Sequence, residues 1–489
     1  MLGTLVVPLG AALLVAFLPA RAARAVAGAA AVTTFIAALL MPADAFLSLP
    51  WIDGLGITFS LGSAGAASVL VLAAALAMVP AVIWAALQVE ERNASFLALL
   101  LAMQGFLNGV FLAKDLVLFY VFWDATLIAS LLLLGGWGLE RRREATAKYL
   151  AYALAGSFLM LVAILALRPL SGADSYLIGD LLEATPALPP NTQMWLFAAF
   201  AVAFAVKMPM LPLHSWLVDF HDQNHPSGAA DVAGTLYKVG AFGFFAWAIP
   251  LLPAAAERWS PLLIALSAVT ALYAAIIAAR QEDLKRLLAY ASLSHMGIAG
   301  VGVFALELTG SNGAMYLLAA QMLTTGGLFL LAGMLHARSG TYLLAAYGGL
   351  ARSAPALAAI TLFVLFASIG VPGLANFPGE FLSLLGAFQA SVTAGVVAVC
   401  AVIAAGVYGV NLYQRIYQGR AEFRASDLRA AEVVVLMPIL AGILWLGLTP
   451  APQLERIEVQ SRVALESSTG ETAGNPPAGI TATLQEEKR

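Results

Sequence analysis

Apolar runs recur along the chain from the N-terminus to about residue 448. A run of about 20 apolar residues crosses the hydrocarbon core as one α-helix, so the pattern predicts an all-α polytopic membrane protein with about fourteen transmembrane helices. The predicted spans are residues 2–20, 25–41, 63–88, 94–112, 115–136, 147–167, 193–220, 228–250, 259–279, 286–305, 312–336, 355–388, 392–417 and 429–448. The first run has no basic residues before it, and we interpret it as a membrane helix rather than a cleaved signal peptide.

Two of the predicted spans carry residues that interrupt a helix. Proline removes a backbone donor and clashes with the preceding turn. Span seven should therefore break just after Lys207, and span twelve just before Glu380. The residues that break the two helices are Pro209 and Pro212 in KMPMLPLHSW, and Gly370, Pro372, Gly373 and Pro378 in GVPGLANFPGEF.

The two breaks lie five helices apart and suggest an internal repeat. Spans four to eight and nine to thirteen would be two five-helix units, and an odd number of helices makes the second unit run inverted, as in many transporters. The alternative is two unrelated proline kinks. The repeat divides the chain into residues 1–93 (helices one to three), 94–250 (first repeat), 251–418 (second repeat), 419–450 (helix fourteen) and 451–489, a short surface segment followed by disorder.

Composition and charge agree with a membrane protein and give its orientation. Only 11% of residues are charged, against about 25% in soluble domains, and a net charge of -3 argues against a nucleic-acid partner. The loops after odd-numbered helices, together with the helix ends beside them, hold 16 Lys and Arg residues, and the alternate loops hold three. The positive-inside rule places the basic loops in the cytoplasm and both termini outside. Cys400 is the only cysteine, so we expect no disulfide and no iron–sulfur site.

Four ionisable residues lie deep inside predicted spans: Asp124, Lys207, Lys238 and Glu380. A charge at the centre of a bilayer costs about 2.5–3.5 kcal/mol on insertion scales, and an intramembrane ionisable residue marks a functional site by default. Two acids and two bases at similar depth favour a protein that moves charge across the membrane over one that performs covalent chemistry.

Other polar residues accompany these four. Tyr120 lies one turn before Asp124, and Lys207 is the expected partner of that carboxylate. Lys238 shares a helix face with Asp231 and Thr235. Glu380 has no base nearby in sequence, and burial would favour its neutral form.

Three membrane histidines and a glutamine complete the candidate set. His214 and His221 are spaced seven residues apart and would share a face if the helix were unbroken. His295 fits two interpretations equally, a hydrogen-bonded core histidine or a proton relay. Gln321 places an amide on span eleven. A haem held by two histidines is disfavoured, because no second well-placed pair accompanies His214.

The motifs FYVFWDATLIAS, KMPMLPLHSWL, AGTLYKVGAFG, DLKRLLAYASLSHMG and GVPGLANFPGEF resemble those of the antiporter-like membrane subunits of proton-pumping NADH:quinone oxidoreductase, respiratory complex I. The resemblance covers about residues 90–420. Within that superfamily the glutamate after the second break resembles the M type of subunit, since its relatives usually place a lysine there.

The resemblance implies roles for residues at matching positions. Asp124 and Lys207 would form the helix-five and helix-seven pair, Lys238 would be the central lysine, His295 the helix-ten histidine and Glu380 the terminal proton site. Asp124 stands where glutamate is usual, and Gln321 where histidine is frequent. NADH, FMN, iron–sulfur clusters and quinone would be bound by partner subunits, with none in this chain, and the neighbours would be the antiporter-like subunits L and N.

Rival functions remain open at this stage. The superfamily also includes subunits of multi-subunit Na⁺/H⁺ antiporters and of membrane-bound hydrogenase or formate-linked complexes. A purely structural scaffold is disfavoured, because it has no use for four intramembrane charges.

Overall fold

The computed structural model describes residues 1–233, 238–420 and 423–469. The helices of this part are α1 (Gly3–Val15), α2 (Ala20–Leu39), α3 (Ala66–Gln88), α4 (Asn93–Leu112), α5 (Leu116–Trp137), α6 (Arg142–Ser171), α7 (Ile178–Ala184), α8 (Pro190–Lys207), α9 (Ser215–Gln223), α10 (Ala229–Ala233), α11 (Lys238–Gly243), α12 (Ile249–Leu251), α13 (Pro253–Arg280), α14 (Leu284–Phe304), α15 (Leu308–Ser339), α16 (Pro355–Ser368), α17 (Asn376–Ala390), α18 (Val392–Tyr417), α19 (Ala430–Leu448) and α20 (Ala451–Thr469).

The predicted all-α polytopic class is confirmed. Among the described residues, eleven helical stretches are long and apolar enough to cross a membrane, and α1 and α16 are shorter apolar helices. The most hydrophobic windows of α14 and α15 are almost entirely buried, whereas those of α6, α18 and α19 are mostly exposed to the surroundings of the protein. α14 and α15 therefore form the interior of the helix bundle, and the outer helices present apolar side chains outward.

Both predicted helix breaks are present. α8 ends at Lys207 and α9 begins at Ser215, and the Leu211–Pro212 peptide between them is cis. α16 ends at Ser368 and α17 begins at Asn376. These irregular segments lie beside Lys207 and ahead of Glu380, as the prolines predicted.

One breaker residue does not act as predicted. Pro378 lies in the first turn of α17, within the helix. The first backbone N–H groups of a helix have no intrahelical partner, and proline is tolerated in that turn. The second break is instead made by the segment before it, where Gly370 and Gly373 adopt left-handed φ angles of 75° and 88° that suit glycine.

A β-hairpin that the sequence analysis did not predict precedes α3. Strands β1 (Phe46–Ile52) and β2 (Ile57–Gly62) pair antiparallel, joined through a turn that contains Asp53 and Gly54, a pair typical of hairpins. Thr58 of β2 donates its backbone N–H to the Asp115 carboxylate at 2.9 Å. The hairpin is thereby fastened to the residue that caps α5.

The segment after α19 forms helix α20 and packs on the bundle. Ile457 and Ser461 are fully buried, and Gln460 Oε1 accepts a hydrogen bond from the backbone N–H of Ala66 at 3.1 Å. Residues 451–489 were predicted to begin as a surface segment. The first part of this segment instead packs against the start of α3. The predicted disorder beyond it falls on residues 470–489, which lie outside the described residues.

Asp427 caps α16 from a distant part of the chain. Its carboxylate accepts hydrogen bonds from Ala356 N at 2.9 Å and Leu357 N at 3.0 Å. Burial raises the pKa of this carboxyl, but the backbone N–H donors and the nearby Arg338 together lower it below its ordinary value. A lowered pKa contributes stability above the unfolded-state value, and this contribution is lost as pH falls through the folded-state value.

We expect Asp427→Asn to destabilise the start of α16 by about 1 kcal/mol at pH 7, because an amide has one acceptor oxygen where the carboxylate uses two, and a lost hydrogen bond costs about that much. Hydrogen exchange of residues 355–368 in the assembled complex measures it. The difference from wild type should shrink at a pH below about 3.9, the ordinary pKa of an Asp side chain. Asp53→Asn, in the hairpin turn, is the control and should leave this exchange unchanged. Equal protection of wild type and Asp427→Asn at pH 7 would contradict the capping role.

Candidate functional site

Four of the predicted site residues are buried inside the bundle. Lys207, Lys238, His295 and Glu380 are each at most 4% exposed. They come from α8, α11, α14 and α17, and two of them adjoin the helix breaks. Buried charged groups require polar partners, so the contacts of each one indicate its chemistry.

Lys207 is held by helix α5. Its Nζ donates a hydrogen bond to Thr126 Oγ1 at 3.2 Å and lies 5.0 Å from the ring centre of Trp123. Both contacts favour an ammonium group, one as an acceptor and the other through a cation–π interaction.

Asp124 and Lys207, predicted as partners, do not form a direct ion pair, although the charge of Asp124 acts on Lys207. Asp124 is only half-buried and accepts a hydrogen bond from Ser157 Oγ of α6 at 2.5 Å. Within the described residues, no ion pair joins the two. Aspartate is one methylene shorter than glutamate, and its carboxylate is bonded to α6 rather than to the lysine. The Tyr120 side chain adjoins Asp124 and Ser157 and so belongs to the same polar group.

Asp231 belongs to a buried ionic cluster and not only to the helix face that it was predicted to share with Lys238. Its carboxylate lies 2.9 Å from Lys285 Nζ and 3.0 Å from His221 Nδ1, and it accepts a hydrogen bond from Asn224 Nδ2 at 3.1 Å. Lys285 was assigned to a basic loop from sequence, yet it is 1% exposed. Thr235, the third residue predicted on that helix face, lies outside the described residues.

Glu380 has a base beside it that is distant in sequence. His295 Nδ1 of α14 and Glu380 Oε1 of α17 are 3.0 Å apart, at ion-pair distance but without the alignment of a straight hydrogen bond. Tyr408 OH lies 3.3 Å from His295 Nε2, and Asn376 Nδ2 lies 3.5 Å from Glu380 Oε1. His295 thus contacts polar groups with both ring nitrogens, as a proton relay requires.

Gln321 occupies the interior of α15 and is fully buried. Its amide nitrogen and oxygen both lack a hydrogen-bond partner among the described residues, as does Ser267 Oγ on α13. Buried polar atoms without a protein partner are usually satisfied by ordered water. These positions therefore favour hydration of the bundle centre.

His214 does not join the row of buried charges. It is half-buried, immediately precedes α9 without a capping hydrogen bond from its side chain, and lies 5.5 Å, centre to centre, from the Tyr273 ring. His221, seven residues later, is fully buried against Asp231. The helix break separates their environments.

The sequence analysis did not single out several partners that the structure supplies. They are Ser157, Thr126, Tyr408, Lys285 and Asn376. All but Lys285 are hydroxyl or amide groups in otherwise apolar stretches, which was a usable signal, whereas Lys285 follows the charged residues Glu282 and Asp283. Which ionisable group each one contacts depends on helix packing.

The described residues contain no group of three or more His, Cys, Asp or Glu side chains arranged to hold a metal ion.

Comparisons with known proteins agree on one family. A sequence profile described as NADH:quinone oxidoreductase/Mrp antiporter, transmembrane, matches residues 113–404. NADH-quinone oxidoreductase subunit 13 of Thermus thermophilus is 43% identical over 401 residues, covering 82% of this chain and 84% of its own length. Subunit M of the Rhodobacter capsulatus enzyme is 35% identical over 484 residues, covering 93% and 94%.

Solved structures give the same result. A chain of respiratory complex I from Thermus thermophilus with bound NADH superposes with a TM-score of 0.91 at 40% identity, covering 95% of this chain and 99% of that one. The fold, the buried charges and the sequence similarity therefore agree. The chain belongs to the NADH:quinone oxidoreductase/Mrp antiporter family of transmembrane proteins.

Proposed function

We propose that the chain is an antiporter-like, M-type membrane-arm subunit of proton-pumping NADH:quinone oxidoreductase. The curated relatives are subunits of that enzyme. The observation that carries the proposal is the contact of His295 with Glu380 in the bundle interior, where the Lys207 and Lys238 amines are also buried. The proton route runs through Asp124, Lys207, Lys238, His295 and Glu380.

The first step takes place at Lys207. Thr126, Trp123 and the nearby negative charge of Asp124 favour its ammonium form. Moving Lys207 away from these groups leaves a desolvated cation, which favours release of a proton. The segment after Lys207 is irregular and lacks continuous helical hydrogen bonds, so it is the part of the helix able to change conformation.

The later steps carry the proton along the bundle centre. Lys238 receives it through water near the unpartnered Gln321 amide and Ser267 hydroxyl. His295 accepts it on one nitrogen and passes a proton from the other. A small rotation aligns Nδ1 with Glu380 Oε1, and Glu380 releases the proton to the outer side.

The assembly follows from the same proposal. The chain sits in the inner membrane with both termini outside, between the antiporter-like subunits L and N. NADH, FMN, iron–sulfur clusters and quinone are bound by partner subunits, and this chain contributes no redox group. Energy reaches it through contacts with those neighbours.

An ordered-water map of the intact complex tests the route. A structure of the assembled enzyme at a resolution that shows water should reveal molecules hydrogen-bonded to the Gln321 amide and connecting Lys207 with His295. Dry apolar packing between these side chains would overturn the proton path.

Removal of the Ser157 hydroxyl tests the role of Asp124. In Ser157→Ala the carboxylate loses its hydrogen bond and is free to turn toward Lys207, which should hold the ammonium more tightly. We expect the NADH-driven pumping rate of membrane vesicles to fall by about tenfold or less, since a hydrogen bond to a charged group is worth about 1.5–3 kcal/mol and only part of that acts on proton release. Ser130→Ala, which removes a buried hydroxyl bonded to Leu127 O, is the matched control. Identical rates in the two variants would contradict this role.

A further inference from the structure

A polar cleft opens next to the buried cluster around Asp231. It encloses about 430 Å³ and is lined by residues from the loops after α3, α5 and α9, among them Gln88, Glu91, Arg142 and His225. The distribution of basic residues assigns these loops to the cytoplasmic side. His225 is half-buried at the cleft and accepts a hydrogen bond from Ser227 N on Nδ1 at 3.1 Å.

The loop that carries His225 is tightly fixed. Tyr342 OH donates to Pro226 O at 2.6 Å, and Trp84 Nε1 donates to Ser227 O at 2.9 Å. Burial, with the positive charge of Lys285, lowers the pKa of His225 to about 4. His225 is therefore neutral at physiological pH, and it lines the cleft as a polar but uncharged side chain.

Lys285 connects this loop to the buried acid. Its Nζ donates to the backbone carbonyl of Asn224 at 3.0 Å and to that of His225 at 3.4 Å, and it lies 2.9 Å from Asp231 Oδ2. The amine thus has three oxygen neighbours for its three protons. These contacts hold the Lys285 side chain between the loop and the Asp231 carboxylate.

Asp231 in turn orients His221. The contact at 3.0 Å fixes Nδ1 of the imidazole against a carboxylate, and the ring stacks on Phe329 with 4.5 Å between centroids. An imidazole held by a carboxylate is stabilised when it takes up a second proton. Lys238 lies near enough for its charge to act on His221.

We infer that His221, Asp231 and Lys285 form the proton-uptake site of this subunit, between the cleft at His225 and the central Lys238. This inference rests on the proposed function. An excess proton carried from the cytoplasm by the water of the cleft protonates neutral His221, and Asp231 stabilises the imidazolium. His221 then passes the proton by way of the Lys238 amine to Lys207, which is neutral after it has released its own proton. Asp231 and Lys285 are positioning residues.

Substitutions in the assembled complex test the relay. We expect His221→Gln to lower NADH-driven pumping of inverted vesicles by about tenfold or more, since a positioned proton-transfer group contributes at least that much. Lys285→Met should act similarly and Lys285→Arg should restore pumping, because only the positive charge is needed. Asp219→Asn, which breaks a half-exposed ion pair with Lys148, is the control and should pump normally.

The outcomes separate this inference from the proposed function. If Lys207→Met stops pumping and His221→Gln does not, the uptake site is overturned and the function stands. If neither variant affects pumping, the function itself fails. A Lys285→Arg variant as inactive as Lys285→Met would also contradict the role of the charge.

Access from the cytoplasm is tested independently with thiol reagents. In a Cys400→Ala background, Gln88→Cys places a thiol in the cleft, and Arg280→Cys places one at the exposed end of α13 on the same side, away from the cleft. A membrane-impermeant thiol reagent added to inverted vesicles, which expose the cytoplasmic side, should inhibit pumping only in the Gln88→Cys complex. Equal effects on both variants, or inhibition only when the reagent is trapped inside the vesicles, would overturn the uptake site.

Discussion

Replacing Lys207 with methionine will reduce NADH-driven proton pumping by the assembled complex by about a hundredfold, the lower end of the contribution of a proton-transferring group. Methionine retains an unbranched chain, so packing around Trp123 is largely kept. It carries no proton, however, and it cannot donate to Thr126 Oγ1 as the lysine does. Pumping is measured as acidification of inverted membrane vesicles supplied with NADH and quinone.

Assembly must be shown to survive this substitution. NADH oxidation with a water-soluble electron acceptor reports on the redox subunits alone and should stay at the wild-type rate. Lys148→Met is the matched control, since Lys148 is a lysine of α6 in a half-exposed ion pair with Asp219, and exposed pairs contribute about 0–1 kcal/mol. Wild-type pumping by Lys207→Met would exclude this lysine from the route.

Much of the architecture was predictable because the bilayer restricts the chain to helices. Apolar run length gave the spans, and prolines and glycines gave both breaks. The hairpin at 46–62 was missed because its strands are short and adjoin apolar helices, although Asp53 and Gly54 at its turn were a usable sign. The packing of α20 was missed for another reason. Its hydrophilic composition resembles a free tail, and the buried Ile457 face appears only against the bundle.

The sequence predicted which ionisable residues belong to the candidate site, but not which side chains each of them contacts. Burial of Lys207, Lys238 and Glu380 follows from their place in apolar runs. Their partners come from other helices, and no local spacing specifies them. Glu380 meets His295 because α17 packs on α14, and Asp124 meets Ser157 because α5 packs on α6. Pairing by type of charge alone therefore did not reveal that Asp124 is hydrogen-bonded to Ser157.

Replacing Glu380 with glutamine should have an effect as large as the loss of Lys207. Glutamine fits the same space and still meets the Asn376 amide, but it cannot take a proton from His295, so the route ends before the outer side. We expect pumping to fall by about a hundredfold with NADH oxidation by a soluble acceptor unchanged. Glu307→Gln, an exposed glutamate at the start of α15, is the control and should pump normally.

A shorter acid separates chemistry from packing at this position. Glu380→Asp keeps a titratable carboxyl but withdraws it by one methylene from His295 Nδ1, now 3.0 Å from Glu380 Oε1, so the transfer needs a bridging water. Pumping by this variant should lie between those of wild type and Glu380→Gln, because a bridged contact is nearly as favourable as a direct one but requires an ordered water molecule. If Glu380→Asp is as inactive as Glu380→Gln, packing at the break rather than proton exchange explains the loss. If Glu380→Gln pumps normally, the proton leaves the bundle through another group, and the contact between His295 and Glu380 is structural.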